Sequence, residues 1–560
     1  MSYSVDDDTK YDEAVQADAG VTRAVQSELE DYDAIVEEAK LATAAQHSLT
    51  LREGFRRYPA AMAWSILLSS ALIMNGFDIV LMGSFFGQPR FQQRYGVQLP
   101  DGSYTITAAW QAGLSNGAKA GEIIGLAFNG YIVERFGCRR AMMAALLYTV
   151  AVIFIPVFAQ NIETLLAGQI LSGVAWGCFE TMTCTYAADI MPVQLRPYLT
   201  AYVNLCWVIG QLLASGVLRG TLALESAWAY RLPFCLQWIW PVPIAIGCFF
   251  APESPIWSLR RQGRDAARKN IRRLLSNPTD EEVDNQLAMI VHTDAMERSV
   301  SAGTSYADCF KGVDRRRTEI ATGVWVIQTT CGSSMMGLST FFLIQAGIPT
   351  DSAFTLSIGQ YAMGIVGTVS SWFLMRYIGR RALYFWGLLV LLVLLTLIGV
   401  MGCLSGSGPQ WAVGALLLVY TFGYDATVGP VCYTLVSEIP SSRLRPKTVV
   451  IARIAYNAMS IVTGIIMPYM LNTDELNWGA KMGFFWAGLT ALCALWTYFR
   501  VPEPRGRTYG ELDVLFHGRV SARKFASTKV DQFAQSGVSR FESGKEDKGE
   551  KEHIERVRDV

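Results

Sequence analysis

The chain has 560 residues, of which 51% are hydrophobic and 17% charged, with 48 basic and 48 acidic side chains. Average soluble proteins carry about 25% charged residues, so the composition excludes the string of soluble domains that length alone would allow. The balance leaves no basic excess for a nucleic-acid partner.

The acid is unevenly placed. Residues 1–40 hold twelve Asp/Glu and three Lys/Arg. A polar, acidic start of this kind predicts a disordered tail over 1–58, with no signal peptide. The eleven cysteines are odd in number and lie mostly in apolar stretches, among them Cys178, Cys206, Cys248 and Cys493. They read as reduced packing residues rather than a disulfide framework.

Twelve apolar segments follow in chain order, near 62–86, 108–131, 140–159, 163–185, 199–218, 233–251, 320–343, 354–375, 382–402, 411–436, 449–471 and 480–499. Each has the roughly 20 residues that cross a bilayer as a helix. Gly, Ser, Thr and Asn interrupt the second and seventh, as is tolerated where helices pack closely or line a cavity. Alternate connections are rich in Lys/Arg: Arg52, Arg56 and Arg57; Arg135, Arg139 and Arg140; Arg196; Arg376, Arg380 and Arg381; Arg443, Arg445 and Lys447; Arg500, Arg505 and Arg507. The other set is nearly bare. This bias predicts that both termini are cytoplasmic.

The longest connection, 252–319, is basic and divides the spans six and six. Ala266, Ile271 and Leu274 recur there at helical spacing, which predicts short cytoplasmic helices; a loose charged linker is the alternative. The expected organisation is an acidic tail (1–58), a first six-helix half (59–251), the cytoplasmic linker (252–319), a second six-helix half (320–500) and a polar tail (501–560). The fold class is an all-α membrane protein.

The halves echo each other. Glu134-Arg135-Phe136-Gly137-Cys138-Arg139-Arg140 follows the second span, and Arg376-Tyr377-Ile378-Gly379-Arg380-Arg381 follows the eighth. Asp189-Ile190-Met191-Pro192 with Arg196 follows the fourth, and Glu438-Ile439-Pro440 with Arg445 follows the tenth. Paired carboxylates and arginines at these helix ends are expected to hold the cytoplasmic side shut and to break when the halves rock. The plainer reading is that these arginines only fix topology.

Ionisable residues at membrane depth stand out. A charge there costs roughly 2.5–3.5 kcal/mol even on the mildest scale. The candidates are Asp78, Lys119, Glu122, Glu180, Asp425 and Arg453. A carboxylate that moves between a dry site and an arginine couples proton binding to conformation. Asp78 and Glu122 are the expected proton carriers, with Arg453 as counter-charge; a permanent ion pair that orients helices is the alternative. Lys119 lies three residues before Glu122, so the two share a helix face and are expected to pair. The four histidines, His47, His292, His517 and His553, all fall outside the spans. No metal or cofactor is expected, and no catalytic constellation appears.

With these groups, the chain resembles the sugar porter family of the major facilitator superfamily over about 58–515. The resemblance also rests on Pro252-Glu253-Ser254-Pro255, Pro502-Glu503-Pro504-Arg505-Gly506-Arg507, Arg231-Leu232-Pro233-Phe234, Gly210-Gln211, and Gln328 with Gly332. Within the family it is most similar to fungal α-glucoside (maltose) permeases. The carrying stretches are Asn75-Gly76-Phe77-Asp78, Gly121-Glu122-Ile123-Ile124-Gly125, Gln237-Trp238-Ile239-Trp240-Pro241, Ala452-Arg453-Ile454-Ala455-Tyr456-Asn457, and the tail Ala522-Arg523-Lys524-Phe525-Ala526-Ser527-Thr528. The chain departs from the wider family at Asn75, at Asp189, at Gln169 and at Tyr433.

The resemblance implies a major facilitator fold and sugar contacts at Gln211, Gln328, Tyr433 and Asn457, with Asn204 and Gln237 as weaker candidates. It implies proton-coupled uptake of an α-glucoside such as maltose at the plasma membrane by a functional monomer, with sugar, proton and lipid bilayer as partners. A transporter-like sugar sensor signalling through its tails, or a carrier of sucrose, trehalose or a hexose, is the alternative.

Overall fold

A computed structural model describes residues 51–99, 102–191, 196–301, 305–441, 444–472, 474–505 and 515–528, with a few positions between 34 and 42 and at 507 and 512. Residues 1–33 of the acidic tail expected over 1–58, and the end of the C-terminal tail, lie outside the described residues; within that tail Leu51–Arg57 is helical and Ile35 packs against Ala288 and Val291 of the connecting region, so this part is ordered rather than disordered.

Helices dominate, as they must where no water can pair the backbone. The first half runs α1 Pro59–Ser69, α2 Ala71–Phe85, α3 Ala108–Phe136, α4 Cys138–Val152, α5 Ile162–Ile190, α6 Arg196–Thr221, α7 Trp228–Leu236 and α8 Pro241–Phe250. A connecting region follows with α9 Pro255–Gln262, α10 Arg264–Leu274 and α11 Asp280–Ser301. The second half has α12 Gly312–Thr330, α13 Ser339–Gln345, α14 Thr350–Tyr377, α15 Arg380–Met401, α16 Ser407–Ala426, α17 Val428–Glu438, α18 Arg445–Leu471 and α19 Gly483–Arg500. A two-residue antiparallel pairing, Val97 with Thr105 and Gln98 with Tyr104, ties off the loop before α3.

Among the described residues, nine helical stretches are long and apolar enough to cross a membrane. Three expected spans fall short of that measure: α3, the broken α12–α13 stretch, and α14. Their polar residues face inward, which is the reason. Gln111, Glu122 and Asn129 are buried on α3, Gln328 and Thr329 on α12, and Ser357, Gln360, Thr368 and Ser371 on α14. The polar groups of these helices are buried between neighbouring helices rather than facing lipid.

The internal repeat reappears in packing. In the first half α2 packs on α6, α3 on α5, and α4 on α8; in the second, α12 packs on α18, α14 on α16, and α15 on α19. The halves then meet along two helix pairs, α3 with α18 and α6 with α14. Besides contacts at the centre, three polar contacts join the halves at one end: Gln111 Nε2 donates to Asn472 Oδ1 at 3.2 Å, Arg219 Nη2 to Asp351 Oδ2 at 2.8 Å, and the Ser84 and Thr340 hydroxyls lie 3.0 Å apart.

The connecting region is helical, and α10 buries Ala267, Ile271 and Leu274. Ala267 thus takes the inward position expected of Ala266. α12 starts at Gly312, ahead of the expected span start at 320, so Arg315, Arg316 and Arg317 are helical. Part of the C-terminal tail, expected to lack a folded unit, is docked. Leu515, Phe516, Ala522 and Phe525 are buried, the Arg317 guanidinium lies 4.4 Å over the Phe516 ring, and Arg316 Nη1 donates to the Val520 carbonyl at 2.8 Å.

Candidate functional site

The centre of the first half is built on the α3–α5 crossing. A Cβ on Gly121 would lie 2.0 Å from the Ile170 carbonyl, and one on Gly173 2.0 Å from the Ala118 carbonyl. Only glycine lets the two backbones approach this closely. The crossing buries Glu122 completely. One turn earlier, Lys119 Nζ lies 2.9 Å from both carboxylate oxygens of Glu122. The expected i,i+3 pair is therefore present in the structure, with the lysine side chain 17% exposed and the glutamate fully buried. Each charge offsets part of the other's desolvation.

Arg453 of α18 reaches across the halves. Its guanidinium pairs with Glu180 of α5 through two nitrogens, Nε lying 3.0 Å from Oε2. This differs from the expectation that Arg453 serves Asp78 and Glu122 directly. Glu122 already has Lys119, and Arg453 acts on it only from a distance. Asn75 Nδ2 also donates to Glu180 Oε1, at 3.3 Å. Aromatic faces close over the guanidinium: Trp325 at 4.5 Å, Tyr456 at 4.7 Å and Trp207 at 5.6 Å. Such desolvated cation–π contacts are worth about 2 kcal/mol or more each.

Asp78 has a different environment. It is buried on α2 and accepts from Gln237 Nε2 at 3.0 Å and Trp176 Nε1 at 3.3 Å. Both donors are neutral. Gln237, a weaker sugar candidate, is thus committed to Asp78. Asn204, the other, donates to Thr368 Oγ1 at 3.3 Å.

The four expected sugar-contact residues are not equally free. Asn457 is fully buried, and neither amide atom has a protein partner among the described residues. Leaving such groups unpaired costs about 1–3 kcal/mol each, so the position calls for a polar ligand. Gln328 spends its Nε2 on the Gly429 carbonyl at 2.8 Å. Tyr433 sits between Trp207 and Trp325, with ring centroids 6.3 and 5.6 Å away. Gln211 is half-buried on α6. Trp207, Trp325 and Tyr456 were not expected from sequence. The indole Nε1 of both tryptophans is buried and unpartnered. Spacing was the available signal: Trp325 precedes Gln328, and Tyr456 follows Arg453, by three residues on one helix face.

The expected gating groups divide by half. In the second half Arg380 Nη2 meets Glu438 Oε1 at 3.2 Å, while the Arg380 and Arg381 backbone N–H groups donate to Glu503 at 2.9 and 3.0 Å. In the first, the Arg139 N–H donates to Glu253 at 3.2 Å, and Asp189 Oδ2 accepts from Ser254 Oγ at 2.6 Å. Burial holds the Glu253 carboxyl above the ordinary glutamate range, against the pull of these N–H bonds. All these contacts lie within one half rather than across the two. Glu134 pairs with Arg261 of α9 at 3.8 Å. Arg135 Nη1 donates to Tyr131 on its own helix at 2.8 Å. Arg140 and Arg376 are exposed, and Arg445 is partly buried at the start of α18. The Arg196 side chain lies outside the described residues.

Two repeated halves around a buried polar centre set the chain beside known proteins. Residues 64–516 match the family described as "Sugar (and other) transporter". The chain belongs to this family. It is 43% identical over 505 residues to a general alpha-glucoside permease of Saccharomyces cerevisiae, covering 89% of this chain and 82% of that one. It is 43% identical over 517 residues to maltose permease MAL31 of the same yeast, covering 91% and 84%. Among solved structures, the proton:xylose symporter XylE of E. coli matches at a TM-score of 0.66 and 19% identity, over 82% of this chain and 99% of that one. That likeness fixes the fold as the major facilitator fold. The transporter is thus a multi-pass membrane protein, not an enzyme.

Proposed function

We propose that this transporter imports an α-glucoside, maltose first, together with protons across the plasma membrane. The observation that carries the reading is Asn457: a fully buried amide with both polar atoms unpartnered, one helical turn along α18 from Arg453, over whose guanidinium Trp207, Trp325 and Tyr456 close. Amides facing hydroxyls and aromatic faces against a ring are what a sugar requires. The names of the yeast permeases support an α-glucoside as the sugar.

Twelve spans with both termini cytoplasmic follow from the Lys/Arg bias. On that orientation the cross-half contacts at Gln111, Arg219 and Ser84 close the outer side. Alternating access then breaks them and the Arg453–Glu180 bridge as the halves rock about the sugar site. The cytoplasmic groups Arg139, Arg380, Glu438 and Asp189 keep each half rigid while it moves. Asp78, hydrogen-bonded only by neutral donors and without an ion-pair partner, is the proton carrier; Glu122, neutralised by Lys119, is the supporting charge. About 100 mV supplies ~2.3 kcal/mol per charge. Two pH units add about 2.7 kcal/mol. The sum drives a gradient of a few thousandfold.

Labelled maltose uptake in a permease-deficient cell tests this. Accumulation above the external concentration, abolished by a protonophore, is the expected result. Signalling without uptake would favour a sensor, and competition by sucrose, trehalose or a hexose would rank the sugars.

A further inference from the structure

The ionised groups at the centre cancel in pairs, Lys119 with Glu122 and Arg453 with Glu180. Among the described, deeply buried carboxylates at membrane depth, two are left without an ion-pair partner: Asp78, on which Lys119 acts only from a distance, and Asp425, on which no cation acts. The reading above uses the first and leaves the second without a task.

Asp425 is the next-to-last residue of α16 and only 5% exposed. The helix breaks just after it, at Thr427, whose φ of −129° and ψ of −82° separate α16 from α17. The carboxyl presses against α14, where two glycines make room. A Cβ on Gly364 would lie 2.8 Å from Asp425 Oδ2, and one on Gly367 3.1 Å from the Asp425 Cβ.

The ionisable groups that face it are phenols: Tyr361 from α14, and Tyr420 and Tyr424 from its own helix. From α6 of the other half come Val208 and Asn204, neither of which ionises. No lysine, arginine or histidine acts on it among the described residues. The amide of Asn204 acts on it, and the hydrogen bond that this amide makes is to Thr368 Oγ1 of α14, at 3.3 Å. Asn204 is thus a bridge from the first half to two residues of the second, on the α6–α14 seam.

We propose that Asp425 is a second proton-binding site, one in the half opposite to Asp78, whose occupancy follows the Asn204 contact between the halves. With Asn204 in place, its N–H favours the ionised carboxylate. When the halves rock and α6 leaves α14, that donor withdraws. A buried carboxylate with neither donor nor cation is held at lowest cost with a proton on it. The proton comes from outer water when the seam opens on that side, and leaves to the cytoplasmic water when the outer contacts close and Asn204 docks again. The cycle thereby carries one acid in each half. This deepens the proton-coupled reading of the transporter and rests on it.

Infrared difference titration of the purified protein in lipid vesicles reads protonated carboxyl groups directly through their carbonyl stretch. The wild type is expected to show a titrating band that Asp425→Asn removes and Asp78→Asn retains. In the same vesicles, protons and labelled maltose taken up are counted together, and Asp425→Asn is expected to lower protons per sugar by about half, one of two acids being lost. An infrared spectrum of Asp425→Asn superimposable on wild type, or an unchanged ratio, would overturn the proposal. Wild type that moves no maltose overturns the function proposed above instead, and the infrared arm still decides Asp425. Should Asp425→Asn not fold, Asn204→Ala leaves the acid in place. Its band must then shift in frequency and titration, and an unmoved band would overturn the proposal equally.

Discussion

The two halves share a packing plan but divide the chemistry. Asp78, Lys119, Glu122 and Glu180 all belong to the first half, and their partners are carboxylate, amine and amide. At the same depth the second half offers rings and amides: Trp325, Tyr433, Tyr456, Asn457 and Gln328. Arg453 and Asp425 are the exceptions, and Arg453 is the one that crosses over. A repeat fixes how helices pack, but each copy remains free to specialise where side chains face the centre. On this reading the first half holds the paired charges and the Asp78 proton site, and the second holds the sugar beside Asp425.

The largest effect that tests this division is expected at Asp78. Asp78→Asn keeps the size but can accept only one of the two N–H bonds, its amide nitrogen being itself a donor, and it cannot take up a proton. It should sharply lower accumulation of labelled maltose, to what Asp425 alone drives, while leaving exchange of sugar across the membrane. Glu122→Gln should be milder, because Lys119 already commits that carboxylate. Undiminished uphill uptake by Asp78→Asn would end the assignment of the proton to the first half.

Next comes the bridge between the halves. Glu180→Gln leaves the Arg453 guanidinium buried without its anion, and breaking a buried pair in this way costs about 3–5 kcal/mol. Thermal unfolding in detergent should show that loss. The double change Glu180→Gln with Arg453→Gln removes both charges and should recover most of the stability but not transport. A double variant no more stable than the single one would show that Arg453 is held by its rings rather than by Glu180.

How much of this was legible in the sequence depended on distance along the chain. Helical segments showed as apolar runs because a bilayer demands length. The Lys119–Glu122 pair showed because three residues on one helix fix a shared face. The breaks at Ser70, Ile153 and Thr427 did not show, because each interrupts an apolar run without changing its character. The Arg453–Glu180 pair joins residues 273 apart, and no local pattern encodes that choice. Gln237 and Asn204 looked like sugar ligands because an amide in a span reads the same whether it faces a ligand or another helix. The tryptophans were hidden by their number, 15 in all, most of which serve packing or interface.

Within the second half the sugar contacts should rank by how free they are. Asn457 has both amide atoms available, whereas Gln328 has one committed to Gly429. Each hydrogen bond lost to a hydroxyl is worth roughly 0.5–1.5 kcal/mol, or about two- to tenfold in KM. Asn457→Ala should therefore raise the KM for maltose more than Gln328→Ala does. Equal KM values, with both variants at wild-type surface levels, would remove the argument from unpaired atoms.

The smallest expected effect compares the cytoplasmic turns. Glu253 and Glu503 cap equivalent turns, and a Cβ on Gly137 or Gly379 would fall 2.5 or 2.2 Å from their carboxylate oxygens. The first cap is the looser one, at 3.2 Å to the Arg139 N–H against 2.9 Å from Arg380 to Glu503. Burial raises the Glu253 carboxyl above its value in an unfolded chain. The folded state therefore binds this proton more tightly than the unfolded state. The stability it contributes is complete below about pH 4.3, the unfolded glutamate value, and is lost as pH rises through the folded value. Glu253→Gln carries no titrating proton and should lose that slope. Relative to wild type, the variant should gain in unfolding temperature as pH rises from acid toward neutral. Unfolding midpoints in detergent at stepped pH would show it, with the double change Glu253→Gln and Glu503→Gln beside it to expose what the tighter cap adds. A wild-type slope retained in Glu253→Gln would mean that the acid sensitivity of this face arises elsewhere, and the two turns would then differ in geometry alone.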